Sequence, residues 1–222
     1  MRIAIAAALL CAALTAPPAS GAPDACAGFG GFIEASGQCR VQASAADYTM
    51  DLSFPLDYPD IEAVVSYLTE TRDGFVSVAQ TPDTREVTHQ LDVTAESFRS
   101  ARTHSVVLTL FQDLGGAHPT AWYKSFTYDL GRNRPVTFDT LFAAGAKPLD
   151  TVFPIVQQTL EAQTGLPGSI SSDAGHDPAH YQNFAVSDEA VIFFFGRAEL
   201  LPSYAGETSV AVPRNAIPPL QV

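Results

Sequence analysis

Two short segments of the chain gather the residue types that carry chemistry. The first is Gly115-Gly116-Ala117-His118-Pro119, set between two runs rich in β-branched and aromatic residues. Paired glycines at a strand end permit positive φ and let another chain approach the backbone. His118 at such a corner is held outward, available as a base or a hydrogen-bond donor. A turn histidine that merely caps a strand end fits the same pattern, and both readings stand at this level. The second segment runs from Ser169 to Tyr181 and holds Ser169, Ser171, Ser172, Asp173, His176, Asp177 and His180. A hydrolase needs a nucleophile, a base within hydrogen-bond reach and a group that orients the base. All three residue types are present. Serine and aspartate also dominate ordinary loops, and Asp177 ahead of Pro178 reads equally well as a helix N-cap.

Standard catalytic signatures are missing from the sequence. There is no Gly-x-Ser-x-Gly elbow, no His-Glu-x-x-His, no P-loop and no Gly-x-Gly-x-x-Gly at a strand–helix junction. His176 and His180 have the i, i+4 spacing of a zinc helix, but Pro178 between them opposes a continuous helix. Neither a metal nor a cofactor is therefore expected.

The elements that must carry these segments follow from periodicity. Tyr48, Met50, Leu52 and Phe54 alternate with polar residues, which predicts a half-buried strand. Pro59 is expected to open a helix whose apolar face is Ile61, Val64, Val65, Leu68, Phe75, Val76 and Ala79. Val87 to Val93, Ser105 to Phe111, Trp122 to Leu130 and Val136 to Phe138 read as further strands. A second helix is predicted from Pro148 to Thr164, with Val152, Phe153, Val156 and Leu160 on one face. Gly165 is its cap and Pro154 is placed near its first turn. Val191 to Phe195 and Thr208 to Val212 complete the set. The phenyl rings of Phe193, Phe194 and Phe195 must fall on both faces of a sheet. Strands and helices interleave without a regular βαβ repeat, so the fold class is α+β: a mixed or antiparallel sheet with two main helices.

At 222 residues the chain is long enough for one domain with a real core. Apolar residues make up 46% and charged residues 16%, which excludes a disordered acidic chain. The net charge of −12 disfavours nucleic acid and anionic lipid as partners.

Arg2, the apolar run Ile3 to Leu14 and the small residues Ala19 to Ala22 have the pattern of a secretory signal peptide, expected to be cut after Gly21. Twelve apolar residues make about 18 Å of helix against about 30 Å of hydrocarbon, too short to span. The expected organisation is a signal at 1–21 and one secreted domain at 22–222, with an N-terminal lobe at about 22–100 and a C-terminal part at about 101–222. Export places Cys26 and Cys39 in an oxidising compartment, where a structural disulfide is the simplest outcome.

Several strings carry a resemblance. Asp113-Leu114-Gly115-Gly116-Ala117-His118-Pro119, Pro135-Val136-Thr137-Phe138-Asp139-Thr140-Leu141-Phe142, Phe153-Pro154-Ile155-Val156-Gln157 and Tyr181-Gln182-Asn183-Phe184-Ala185-Val186 resemble the mycobacterial secreted immunogenic protein family, in order and over nearly the whole chain. Asp177-Pro178-Ala179-His180 and Leu201-Pro202-Ser203 resemble its esterase-described branch. The C-terminal half is more distantly similar to the extracytoplasmic domain of lysozyme-sensing anti-sigma factors.

That resemblance implies a small exported α+β protein, extracellular or held at the cell wall and recognised by host immunity. In the esterase branch it implies hydrolysis of short acyl esters. No catalytic motif of the family transfers, so the assignment here is the chain's own. Ser203 is the candidate nucleophile, His180 the base and Asp177 its orienting group. His118 is a second base, and Gly115 and Gly116 form a binding turn. Two functions stay open: a serine-dependent carboxylesterase, or a non-catalytic secreted binder of a protein such as lysozyme. A monomer is expected in either case.

Overall fold

The computed structural model describes residues 22–81, 87–116 and 118–222. The expected signal segment 1–21 and Ala117 lie outside the described residues. Among the described residues ten strands form two sheets. The larger sheet contains β1 (Phe32–Ile33), β2 (Gln38–Ser44), β3 (Tyr48–Pro55), β4 (His89–Arg99), β5 (Thr103–Asp113), β6 (Thr120–Asp129) and β7 (Arg134–Val136) in chain order. Only the β3–β4 pair is parallel; every other neighbour is antiparallel. The smaller sheet is β8 (Phe184–Val186), β9 (Ala190–Phe195) and β10 (Thr208–Pro213), with β9 central. The helices are α1 (Ala22–Gly28), α2 (Ile61–Ala79), α3 (Phe138–Leu141), α4 (Leu149–Thr164) and α5 (Ser172–Gly175). The α+β class and the mixed sheet are thus as expected.

Helix α2 is the crossover between the parallel strands β3 and β4. Val64, Leu68, Phe75 and Ala79 are buried along its face, against Leu52, Phe54, Leu91, Val93, Val106, Leu108 and Leu110 of the large sheet. Asp60 is its N-cap, so Pro59 lies just before the helix and not at its first position. The other face of the large sheet receives β8 and β9 through Val107, Ala185 and Phe194. Beyond them α4 buries Val152, Phe153, Val156 and Leu160 against Phe184, Val186, Val191, Phe193 and Phe195. The order is helix, sheet, sheet, helix. The three consecutive phenylalanines divide between the two faces of β9 as their alternation requires. Pro154 sits well inside α4, not in its first turn. The helix therefore forgoes one backbone bond there.

The two sheets are joined through hydroxyl groups. One edge of β8 pairs with β9. On its other edge, Ser125 Oγ accepts the Phe184 N–H at 2.8 Å and Ser105 Oγ accepts the Val186 N–H at 3.1 Å. Thr127 Oγ1 lies 3.1 Å from the Phe184 carbonyl and 2.9 Å from Ser105 Oγ. Ser105, Ser125 and Thr127 share one face of the β5–β6 pair, since Ser105 stands opposite Thr127. An edge strand buried against a sheet face must have its backbone groups satisfied, and here side chains supply the partners. Strand β2, absent from the sequence-based expectation, buries Cys39 and Val41 between exposed or half-exposed Gln38, Arg40 and Gln42. Two small buried residues are too weak an alternation to stand out.

Cys26 and Cys39 form the expected disulfide, tying α1 to β2. For a loop of this size the chain-entropy model gives about 3 kcal/mol. Urea unfolding with and without reductant is expected to differ by about that amount, and equal midpoints would rule this contribution out.

The large sheet also buries titratable groups. His104 is fully buried against Tyr58, with ring centroids 5.3 Å apart. Among the described residues neither ring nitrogen has a hydrogen-bond partner. Burial first, then the Arg99 charge, hold its pKa below the ordinary value; Asp57 opposes them. The groups around it are thus Arg99, Asp57, Tyr58 and the sheet neighbour Tyr128.

The buried carboxylate of Asp129 lies at the end of β6. Burial alone would raise its pKa. The Arg132 N–H and guanidinium and the Gly131 N–H, at 2.9 to 3.0 Å, win and hold it low. Both groups are lowered, so both stabilise at neutral pH and weaken the fold in acid. The His104 contribution is lost as pH falls below about 6.5, that of Asp129 only below about 4. The unfolding midpoint is expected to drop between pH 7 and 5 in the native protein and to drop less in His104→Phe. Equal slopes for the two proteins would refute the assignment to His104.

Candidate functional site

The serine-, histidine- and aspartate-rich segment leaves α4 through Gly165, which takes the left-handed conformation at φ 68°. Ser171 caps α5 by accepting the Ala174 N–H. At the end of α5 the His176 Nδ1 lies 2.8 Å from the Ser172 carbonyl and 3.3 Å from Ser172 Oγ. A carbonyl only accepts, so Nδ1 carries the proton. The Ser172 hydroxyl therefore faces a donor and is not activated as a nucleophile. Ser169 Oγ is buried and has no hydrogen-bond partner among the described residues.

Asp177 caps the following 3₁₀ turn, Pro178–Tyr181, by accepting the Ala179 N–H at 2.9 Å. That is the capping role the sequence allowed. His180 shares this turn, but the carboxylate that faces its imidazole is Glu199. His180 Nδ1 lies 3.9 Å from Glu199 Oε1, and both side chains are about one-quarter exposed. Glu199 Oε2 accepts the Gly196 N–H at 2.7 Å, which fixes the carboxylate in its loop. Burial, the largest effect, raises the Glu199 pKa; the Gly196 N–H and His180 oppose it. At 3.9 Å the two groups are within ion-pair distance but beyond hydrogen-bond length, so the carboxylate faces the imidazole as a charge.

Sequence reasoning passed over Glu199. The available signal was the short spacing Gly196-Arg197-Ala198-Glu199, a turn in which the acid reaches back to the glycine N–H.

Ser203 opens the exposed 3₁₀ turn Ser203–Ala205, on the loop that carries Glu199. Among the described residues no hydrogen bond joins it to a histidine. His118 is exposed in the turn between β5 and β6. In that turn Gly115 has φ 70°, its N–H donates to Asp113 Oδ1 at 2.8 Å, and a Cβ there would meet Val87 at 2.7 Å. Gly116 has open space around it. Gly196 packs beside Ala121 and Trp122 at the start of β6. The glycine turn and the Glu199 loop thus lie at the same end of β6. Among the described residues no group of three His, Cys, Asp or Glu side chains is arranged to hold a metal ion. No described helix is long and apolar enough to cross a membrane.

This architecture is that of the proteins described as a protein of unknown function (DUF3298), whose family pattern matches residues 139–215. Crystal structures of two DUF3298 family proteins share the fold. One is from Bacteroides fragilis, with a TM-score of 0.54 and 13% identity over 80% of this chain and 89% of that one. The other is from Pseudomonas aeruginosa, with a TM-score of 0.54 and 12% identity over 83% of this chain and 94% of that one.

Sequence similarity narrows the class. The chain is 51% identical to Esterase Rv3036c of Mycobacterium tuberculosis over the full length of both. It is 46% identical to Immunogenic protein MPT64 of Mycobacterium tuberculosis, over 81% of this chain and 80% of that protein. Immunogenic protein MPB64 of Mycobacterium bovis matches to the same extent. The chain belongs to the mycobacterial family that contains Rv3036c and MPT64.

Proposed function

We propose that this protein is an exported esterase that hydrolyses short acyl esters. The observation that carries the reading is the 51% identity, end to end, with a relative named an esterase. The His180–Glu199 pair supports it by supplying a base and a carboxylate that orients it. In this reading Ser203 Oγ attacks the ester carbonyl and His180 takes its proton. The tetrahedral intermediate expels the alcohol, which leaves with that proton. Water activated by His180 then releases the acid and restores Ser203. Gly116 in the glycine turn is our assignment for a backbone donor to the oxyanion, since the Gly115 N–H is already held by Asp113. His118 is the second base we assign, at the same end of the sheet. Glu199 takes the orienting role, because Asp177 is engaged as a cap. Export through segment 1–21 and a single domain over 22–222 belong to the same proposal.

A non-catalytic binding role is the second reading. It is favoured by the exposed Ser203, which among the described residues has no hydrogen bond to a histidine, and by the 46% identity with proteins named for immunogenicity. Hydrolysis of p-nitrophenyl acetate and butyrate by the purified, disulfide-intact protein separates the two. Saturable turnover above a heat-denatured control supports the esterase. Turnover no faster than the control transfers the weight to the binder, for which a basic protein is the first partner to test, given the net charge of −12.

A further inference from the structure

A cleft among the described residues is lined by neither His180 nor Glu199. It has a volume of about 450 Å³ and is formed by α3, the start of α4, the loop between them, and His176 with Pro178. Small-molecule sites typically fall between about 300 and 1,000 Å³. Phe138, Phe142 and Leu149 line it and are themselves buried, which gives it an apolar base. Gly145 at φ 80° and the Ala146 N–H bonded to the Ala143 carbonyl turn the loop tightly, and Ala143, Ala144 and Ala146 form part of the wall.

His176 is placed at this cleft in a defined state. Its Nδ1–H is held by the Ser172 carbonyl, and its ring stands edge-on to Phe153 at 4.8 Å between centroids. Gly175 makes that contact possible, since a Cβ there would fall 1.9 Å from the Phe153 ring. The helix is therefore pinned against Phe153, and with Nδ1 carrying the proton the other ring nitrogen of this cleft-lining imidazole, Nε2, is an acceptor.

The remaining charges set the sign. Asp139 and Asp150 line the cleft against the single ammonium of Lys147, an excess of negative charge that disfavours anionic ligands.

We infer that the cleft beside His176 is a binding site for a small uncharged molecule with an aryl or short alkyl body and one hydroxyl donor. The apolar body occupies the space over Phe138, Phe142 and Leu149, and the hydroxyl donates to His176 Nε2. The inference does not rest on hydrolysis at His180, and its test reads binding alone.

The probe is 2-naphthol, titrated into the full, disulfide-intact protein and followed by its fluorescence, with 2-naphthoate as the anionic comparison. Saturable one-to-one binding of 2-naphthol is expected, with 2-naphthoate at least several-fold weaker. Removing the acceptor in His176→Ala is expected to weaken 2-naphthol by about fivefold, the worth of one hydrogen bond. Filling the cleft in Ala146→Trp is expected to abolish binding. Ala144→Trp, at an exposed wall position, decides the matter if the first variant fails to fold. Lack of saturation, affinity unchanged in a folded tryptophan variant, unchanged affinity in His176→Ala, or 2-naphthoate bound as tightly as 2-naphthol would each overturn the inference.

Discussion

His180→Ala is expected to lower kcat/KM for p-nitrophenyl butyrate by about 10²–10⁴-fold, the usual contribution of a positioned general base. Ser203→Ala is expected to remove the remaining acyl-transfer turnover, because the nucleophile itself is lost. Neither change should unfold the protein, since Ser203 is exposed and His180 is partly exposed.

Glu199→Gln is the sharper test of positioning. The amide keeps the shape and can still bond Gly196 through its oxygen, but it carries no negative charge to face the His180 imidazole. Burial raises the Glu199 pKa above the ordinary carboxylate value. The native rate should therefore fall on the acid side as this carboxylate takes up a proton, and that part of the acid limb should vanish in Glu199→Gln. A purely structural role for Glu199 would lower activity equally at every pH. Full activity in both Ser203→Ala and His180→Ala would reject this site and leave the esterase class to other residues.

The second large effect is on stability. Tyr181→Ala is expected to destabilise the fold by about 3–5 kcal/mol, as for other large aromatic truncations in cores. Tyr181 is fully buried. Its ring stands 5.7 Å from Phe138, 5.3 Å from Phe193 and 5.7 Å from Phe195 between centroids. Its hydroxyl donates to the Gly175 carbonyl at 2.8 Å. One side chain therefore ties the 3₁₀ turn that carries His180 to the helix that carries His176, and docks both on β9. Tyr181→Phe keeps the ring and removes only the donor, so it should cost about 1–3 kcal/mol for the buried carbonyl left unpaired. Urea unfolding midpoints at constant m-value measure both. A Tyr181→Ala protein within 1 kcal/mol of the native one would show that this aromatic cluster does not hold the C-terminal layer.

Much of this molecule is written in local pattern. The apolar faces of α2 and α4, the alternation read in β3 and β6 and the β-branched or aromatic runs of β5 and β9 depend only on neighbours along the chain. The Gly165 cap and the Asp177–Pro178 turn are equally local, since each is a backbone conformation favoured by one or two residues. The Cys26–Cys39 bridge was legible because two thiols offer one pairing. The α+β class followed from the order of these elements, and the family from strings spread along the chain.

What lies between elements was not legible. Strand β2 and the edge of β8 are defined by what they pack against, and the hydroxyls of Ser105, Ser125 and Thr127 look from the sequence like ordinary polar positions. The partner of His180 is the same kind of fact. Asp177 is near it in the chain, yet its carboxylate accepts the Ala179 N–H two residues on. Glu199 reaches the imidazole only because β9 runs beside the 3₁₀ turn and Gly196 ends that strand. Sequence by itself determined which residues could act and which faces are buried, because both follow from side-chain chemistry and local backbone preference. Which carboxylate meets which histidine, and where a cleft opens, depended on the packing of two sheets and a helix, since those distances are set by contacts between segments far apart in the chain.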